Sequence, residues 1–588
     1  MSHSTPVKDG VTQSKGKSAS QASSELLKYK VISEVSEEQF LARYLSGQAN
    51  YDPSQLAGRE KAIGQIQSTK EGKEKSLYTK RAPLLRLLNG LSKLVHDSLP
   101  DAQTHNGLVF RAGNSNSIRH PFHNSLLLPD VVALWEPVGV LSKLTSNGKP
   151  NFDSPSNQTW SNLVTVGEVK VNRKADGQIG NYLRNLLQLH PENSGVFGFS
   201  ARIQGYQLLY HDAAVIQKSQ EYAWSDLRLL LKFIEKLYSK PFRDPSMYVF
   251  QPENPLPIWV VKANDYTLLS HDGPPENEPR AEQGPGQRRL TGLMTDAGTE
   301  KRWFMKEYWR DTQRRFFEWV LYQAAHKGKN IPGLMYPEFG GHVLNSDGNK
   351  MKTTDLETSI IREKVRVITR DVGVPLDKIT SLRQFLCVMY DACVVQRNLY
   401  RKAKILHRDI SDSNIMAAPI DNAMFYSRCA EGYDEVKYLN QVLAKDKKVK
   451  PKPACLVIDL GNGADLTTDE GTAEVLTTRT GTPKFIARSV SSGEVLIGST
   501  PKNLMPKLEG RALELYEFMD ETQHGQFNRA IDDAPLLDEE SLNLQSRHQL
   551  YHDAESVFWV IAWTLARSTR STYEAETQAT GSSLLSHK

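Results

Sequence analysis

Cysteine is scarce in this chain: four in 588 residues, at 387, 393, 429 and 455, and no two are spaced as CxxC. That pattern excludes a zinc ligand set and a disulfide framework, and it fits a reducing intracellular compartment, cytoplasmic or nuclear. Long apolar runs are missing too. The longest, Val557 to Ala566, falls short of the ~20 residues a membrane-spanning helix needs and reads as a buried core helix. The opening MSHSTPVKDG carries no apolar stretch of signal-peptide type. Charge of one sign is also in short supply. Lys and Arg number 73 against 68 Asp and Glu, a formal net charge of +5. So small a balance argues against a dedicated nucleic-acid groove or membrane surface.

What is present is the composition of a globular protein, 39% hydrophobic and 24% charged. The length implies two to four domains at about 150 residues each. Residues 1–24 are rich in Ser, Lys, Gln and Gly and read as a disordered tail. Residues 25–270 read as an N-terminal helical and α/β domain. LLRLLNGLSKLVHDSL has apolar residues at helical spacing, LLLPDVVALW and LVTVGEVKV are strand-like, and helices are expected near 178–190 and 221–239. Residues 271–289, HDGPPENEPRAEQGPGQRR, are dense in Pro, Gly and charge and read as a linker before a domain over 290–588. In that domain KRWFMKEYW reads as a strand. DTQRRFFEWVLYQAAHK reads as a helix capped by Asp311. Leu382, Phe385, Leu386, Met389, Ala392 and Leu399 form one stripe of an amphipathic helix over 380–402.

That helix runs into His407-Arg408-Asp409, with Asn414 five positions after the Asp (414 − 409). Phosphoryl transfer needs a carboxylate to orient the attacking hydroxyl and a nearby amide oxygen for a metal ion. An Asp and an Asn on one tight loop meet both needs. Forty-five residues on (459 − 414), the branched strand of LVIDLGNG delivers Asp459-Leu460-Gly461, a turn that can present a carboxylate to Mg²⁺. Upstream, Lys306 lies on the strand FMKEYW, and Glu318 follows twelve residues later on the next helix. Downstream come RTGTPKFIA and then HDAESVFWVIAW, which puts Asp553 at the start of an apolar helix.

The order Lys306, Glu318, Asp409, Asn414, Asp459, Thr482, Asp553 resembles that of a protein kinase. ILHRDIS…NI with DLG, RTGTPKF and VGVPLDKITSLRQFL resembles the fungal-type protein kinase family in particular. The resemblance implies an α+β fold, with a bilobal kinase-like domain behind the α/β domain. It implies ATP and Mg²⁺ as cofactors and serine or threonine of a protein substrate as acceptor. Asp409 and Arg408 would be catalytic, and Asn414 and Asp459 would bind the metal. Lys306, held by Glu318, would bind phosphates, and His407, Gly461 and Asp553 would be structural. Thr477, Thr478 and Thr480 are candidate phosphosites acting through Arg408, and Thr482 is expected to contact the substrate site. Several departures stand against the family pattern. RRLTGLMTDAGTEKRWFMK has no GxGxxG, Ser411 stands where many serine/threonine kinases place a Lys, and Ala487-Arg488-Ser489 replaces Ala-Pro-Glu. A long insertion separates Asp409 from Asp459, and the chain stops soon after the Asp553 helix.

Blander and rival readings exist. An inactive pseudokinase scaffold keeps the same residues without transfer. The basic run KDKKVKPKP at 445–453 is most simply a solvated loop. In the N-terminal half, Pro129-Asp130 followed by Glu168-Val169-Lys170, then Gln178 and Tyr182 as QxxxY, resembles the PD-(D/E)xK nuclease-like fold. There Asp130 and Glu168 would bind a metal and Lys170 would steer a water. A structural ion pair explains the same residues, and with so little net charge no cleavage is expected.

Overall fold

The computed structural model describes residues 32–568 apart from 48–51, 80–81, 100–104, 114–117, 123–125, 147–149, 172–174, 241, 255, 271–279, 282–285, 329, 357–359, 420–422, 430–435, 468–474, 477–478, 494–507 and 520–546. The expected tail at 1–24 lies outside these. The described residues are mixed α+β and fall into two compact units. One holds residues up to Arg314 together with Glu338–Thr369, and the other holds Arg315–Pro337 and residues from Arg370 on.

The described residues of the first unit contain two eight-stranded sheets and a small two-stranded one, Ile118–Arg119 with Leu126–Leu127. The strands of the first are β1 (Ile32–Val35), β2 (Asn106–Ala112), β3 (Val131–Pro137), β4 (Leu163–Val169), β5 (Gly195–Ala201), β6 (Gly205–Asp212) and β7 (Ile216–Ser219), in spatial order β1-β7-β6-β5-β4-β3-β2. Tyr222–Ala223 adds a short eighth strand beside β6. β4 and β5 run parallel, joined by helix α4 (Asp176–Leu189), whereas β2, β3 and β4 are antiparallel neighbours. Among the described residues, four helices occur earlier in the chain, α1 (Glu37–Tyr44), α2 (Arg59–Gln67), α3 (Pro83–Ser98) and the short helix Val138–Thr145. Leu84, Leu85, Leu88, Leu91 and Val95 give α3 its buried face. Helix α5 (Arg228–Ser239) starts seven residues later than expected, because 222–223 are taken by the strand beside β6.

The second sheet is antiparallel. β8 (Met247–Phe250), β9 (Ile258–Ala263), β10 (Tyr266–Leu269), β11 (Leu290–Asp296), β12 (Arg302–Asp311), β13 (Phe339–His342) and β14 (Arg362–Thr369) lie in the order β8-β9-β10-β11-β12-β14-β13. β10 pairs with β11, Leu268 opposite Asp296, so 271–289, expected as a linker, connects neighbouring strands of one sheet. Side chains alternate along β12. Trp303 and Met305 join a core with Met247, Trp259 and Met294, and Lys306 points to the other face, its Nζ 5.1 Å over the Tyr308 ring. The helix expected from Asp311 begins at Glu318 instead. Residues 302–311 stay in β12, Asp311 opposite Arg362, and the Asp311 carboxylate accepts the Gln313 N–H of the following turn.

In the second unit, α6 (Glu318–His326) and α8 (Leu550–Arg567) pack against α7 (Leu382–Ala403), which also packs against the short paired strands β15 (Ile415–Ala417) and β16 (Cys455–Val457). The stripe predicted for α7 is buried at Phe385, Met389, Ala392 and Leu399. Leu382 and Leu386 are 58% and 48% exposed, so the packed face is completed by Val388 and Val395. Asp391 on α7 accepts the N–H groups of Leu439 (2.9 Å) and Ala454 (2.7 Å), which pins the insertion between the two loops to the helix. Burial pushes this carboxyl up to about 6. The lysines of the basic run at 445, 447, 448, 450 and 452 are exposed, as a solvated loop requires. In α8 only one face is buried, through Asp553, Val557 and Val560. Phe558 and Leu565 are exposed, so it is not the wholly buried helix its composition implied. No helix among the described residues is long and apolar enough to cross a membrane.

Candidate active site

Helix α7 ends at Lys404 in a left-handed conformation, and Ile405–Leu406 pair with Ala464–Asp465 before the chain turns through His407, Arg408 and Asp409. Arg408 is itself left-handed, φ 65°, which costs an L residue about 1–2 kcal/mol and needs outside support. Asp553 of α8 supplies it. Its Oδ2 accepts the His407 N–H and its Oδ1 the Arg408 N–H, both at 3.0 Å, and His548 Nε2 donates to Oδ1 at 2.9 Å. Burial works against ionisation of this carboxyl, but His548, His407 and the loop amides hold it below the usual carboxylate range. His407 completes the turn. Its Nε2 donates to Ile458 O (2.9 Å) and its Nδ1 accepts the Asp409 N–H (3.3 Å). Asp553→Ala would leave two buried amides and His548 without their acceptor, and each such donor costs about 1–3 kcal/mol. The variant is expected to lose at least about 3 kcal/mol of stability, measured by thermal denaturation. An unchanged melting curve would show that the turn is held by other groups.

The Asp409 carboxylate is fixed at both oxygens. Thr482 Oγ1 donates to Oδ1 and Asn462 Nδ2 donates to Oδ2, each at 2.9 Å. Asn414 Nδ2 donates to the Asp409 carbonyl at 2.7 Å, which turns its Oδ1 the other way. Pairing of Ile415 with Val457, extended by Ile458 N–H to Asn414 O at 3.0 Å, brings Asn414 beside the Asp459 turn. Asp459 is left-handed, φ 68°, and its Oδ1 accepts the Gly461 N–H at 3.1 Å. Helix α6 packs on this turn: a Cβ on Gly463 would lie 2.9 Å from Leu321 Cδ1. Glu318, first residue of α6, is buried.

Arg408 donates to the carbonyls of Val475 (2.7 Å) and Asn462 (3.4 Å), and Thr480 Oγ1 lies 3.5 Å from the Arg408 carbonyl. Thr477 and Thr478 lie outside the described residues. Ser411 is buried, its Oγ 3.0 Å from Ser413 Oγ. At the end of the segment Arg488 donates through its backbone N–H and Nε to Glu555 on α8 (both 3.2 Å), and Lys484 sits 4.5 Å over the Trp563 ring. The segment is therefore anchored without an Ala-Pro-Glu sequence. Lys306 belongs to the other unit. There the hairpin between β11 and β12, the place of the glycine lid in the kinase pattern, turns through Asp296, whose Oδ2 accepts Thr299 Oγ1 and whose carbonyl accepts the Glu300 N–H.

The first unit also gathers its predicted residues. The register of β3 and β4, Val131 opposite Gly167, sets Asp130 beside Glu168. A Cβ on Gly113 would collide with the Pro129 carbonyl, so the Pro129-Asp130 turn sits tight against β2. Tyr78 Oη donates to Asp130 Oδ1 at 2.6 Å and the Val169 N–H to Oδ2 at 2.9 Å. Lys170 Nζ donates to Glu168 Oε1 at 2.5 Å, and Gln178 Nε2 to Tyr182 Oη at 2.8 Å. Burial and the Asp130 charge push the Glu168 carboxyl up to about 7. Among the described residues no group of three or more His, Cys, Asp or Glu is placed to hold a metal ion.

Asn462, Tyr78 and His548 were not singled out from sequence. Asn462 directly follows Asp459-Leu460-Gly461, which was its one local signal. Compared with known proteins, residues 335–565 match the family model described as fungal protein kinase, a span that leaves out Lys306 and Glu318. No curated protein matches the chain.

Proposed function

We propose, on the match of residues 335–565 to the fungal protein kinase family model, that this protein transfers the γ-phosphate of ATP to serine or threonine of a protein. The observation that carries the reading is the doubly anchored Asp409 carboxylate beside Asn414 and the Asp459 turn. Asp409 orients the acceptor hydroxyl and takes its proton as the new O–P bond forms. Asn414 Oδ1 and the Asp459 carboxylate are hard oxygen donors. One or two such groups plus substrate phosphates are what Mg²⁺ commonly takes, so the donor set fits that ion. Bound there, Mg²⁺ would neutralise charge on the phosphates. Lys306 is proposed as the phosphate-binding lysine and Glu318 as its partner, on the order of the residues in the chain.

A protein acceptor is favoured over a small alcohol by the segment 479–487, whose Thr482 reaches the Asp409 carboxylate. Phosphorylation at Thr477, Thr478 or Thr480 is proposed to raise activity through Arg408, in exchange for the carbonyl bonds that Arg408 now makes. For the first unit we propose a structural role. Both oxygens of Asp130 already accept bonds, from Tyr78 and Val169, and Lys170 is engaged by Glu168. One set of assays tests these readings. Purified full-length protein with Mg²⁺ and labelled ATP is expected to label serine or threonine peptides and not choline or aminoglycosides, with no cleavage of DNA or RNA. Mass spectrometry of the active protein reads the phosphosites. Transfer to the small alcohols alone would reverse the choice of acceptor. Absence of any transfer would favour the pseudokinase scaffold. Mg²⁺-dependent cleavage that vanishes in Glu168→Ala would restore the nuclease reading.

A further inference from the structure

We infer that Asn462 is a positioning residue for phosphoryl transfer, one that makes the alignment of the base depend on the Asp459 turn. The inference rests on the reading of Asp409 as the proton acceptor. A carboxylate on a partly exposed loop can rotate about its side-chain bonds, and an acceptor hydroxyl is served only when one oxygen faces it. Thr482 holds Oδ1 from the far end of the activation segment, and Asn462 holds Oδ2. Where many serine/threonine kinases carry a Lys two positions after this Asp, Ser411 is buried and faces Ser413. A charged residue close to the carboxylate is thus replaced by a neutral amide arriving from another loop.

The origin of that amide gives it a second consequence. Asn462 ends the short 3₁₀ turn Leu460–Asn462, whose N-cap is Asp459. Its side chain goes to Asp409, and its carbonyl accepts from Arg408 at 3.4 Å. One residue therefore ties the metal-binding turn to both Arg408 and Asp409. Gly463 behind it has no room for a side chain against Leu321 of α6. A displacement of the turn from α6 withdraws the amide from Asp409, so a misplaced metal ligand and a misaligned base occur together.

Steady-state kinetics on the full-length protein test the inference. Asn462→Ala is expected to lower kcat about tenfold, a fraction of the effect of a general base, with KM for ATP within about twofold because Asn462 is not placed on the nucleotide. Asn462→Asp has the same shape but no donor, and it sets a like charge against Asp409. Its kcat should fall below that of Asn462→Ala. Asn462→Ser keeps a donor in less volume and should be intermediate, and it serves if the other two variants do not fold. A kcat within about twofold of wild type in every folded variant, or a parallel rise in KM for ATP that accounts for the loss, overturns the inference. Asp409→Asn, run alongside, separates the two claims. If it retains full transfer, the reading of the base itself fails. If it is inactive while the Asn462 variants are normal, only the positioning role fails.

Discussion

Asp409→Asn is expected to lower phosphoryl transfer by more than about a hundredfold, at least ~2.7 kcal/mol of barrier, while the protein melts as the wild type does. The substitution keeps the shape of the side chain and removes its ability to take a proton. Fold retention follows from the two donors that hold it. The Thr482 hydroxyl can reverse its role and accept from the new amide, and the new carbonyl can still accept from Asn462. The turn itself is held by backbone bonds to Asp553, which the change does not touch. Transfer rate and melting temperature measured on one preparation check both halves. Transfer at the wild-type rate would remove Asp409 from the chemistry. A rate lost together with the fold would show that the carboxylate is needed for structure.

The second large effect is expected in the first unit. Asp244→Ala should destabilise the first unit by about 3–5 kcal/mol, the range for breaking a buried pair from one side. Lys364 Nζ lies 2.9 Å from Asp244 and 3.0 Å from Glu307. Arg366 Nη2 lies 2.7 Å from Asp244 and 2.5 Å from Glu307, and no side chain of the four is more than 9% exposed. Two carboxylates balance two cations, and Lys364 adds a bond to the Pro191 carbonyl at 2.8 Å. Removing Asp244 leaves a net buried positive charge next to Glu307 on β12, one residue from Lys306. Burial opposes ionisation of Asp244, but Lys364 and Arg366 hold its carboxyl far below the usual range. A depressed folded-state value means the contribution is complete above the unfolded value, about 4, and fades as pH falls below it towards the folded value. The gap in melting temperature between wild type and Asp244→Ala should therefore be widest near neutrality and shrink in acid. A variant that melts normally at pH 7 would show that the tie between the 191–244 region and the second sheet contributes nothing.

The amino-acid sequence by itself determined which local candidates come together. Asp409 and Asn414 sit five residues apart on one loop, the stripe of α7 leads into that loop, and Asp459 follows a branched strand, so short-range spacing sufficed to single them out as candidates. Strand periodicity put Glu168 and Lys170 on one face, and the resemblance to the PD-(D/E)xK pattern added Asp130 to them. Only the tertiary structure decided what holds those groups. Asn462 reaches Asp409 across 53 positions and Lys364 reaches Asp244 across 120, whereas the structural role of Asp553 was implied by the kinase resemblance. Such pairs leave no periodic trace, because each depends on which strands and helices become neighbours. The same reason moved the start of α6 from Asp311 to Glu318, where pairing of β12 with β14 outweighed a good capping residue. It also carried one sheet across 271–289, where composition alone marked a break: a Pro- and Gly-rich connection reads the same whether it separates domains or joins adjacent strands.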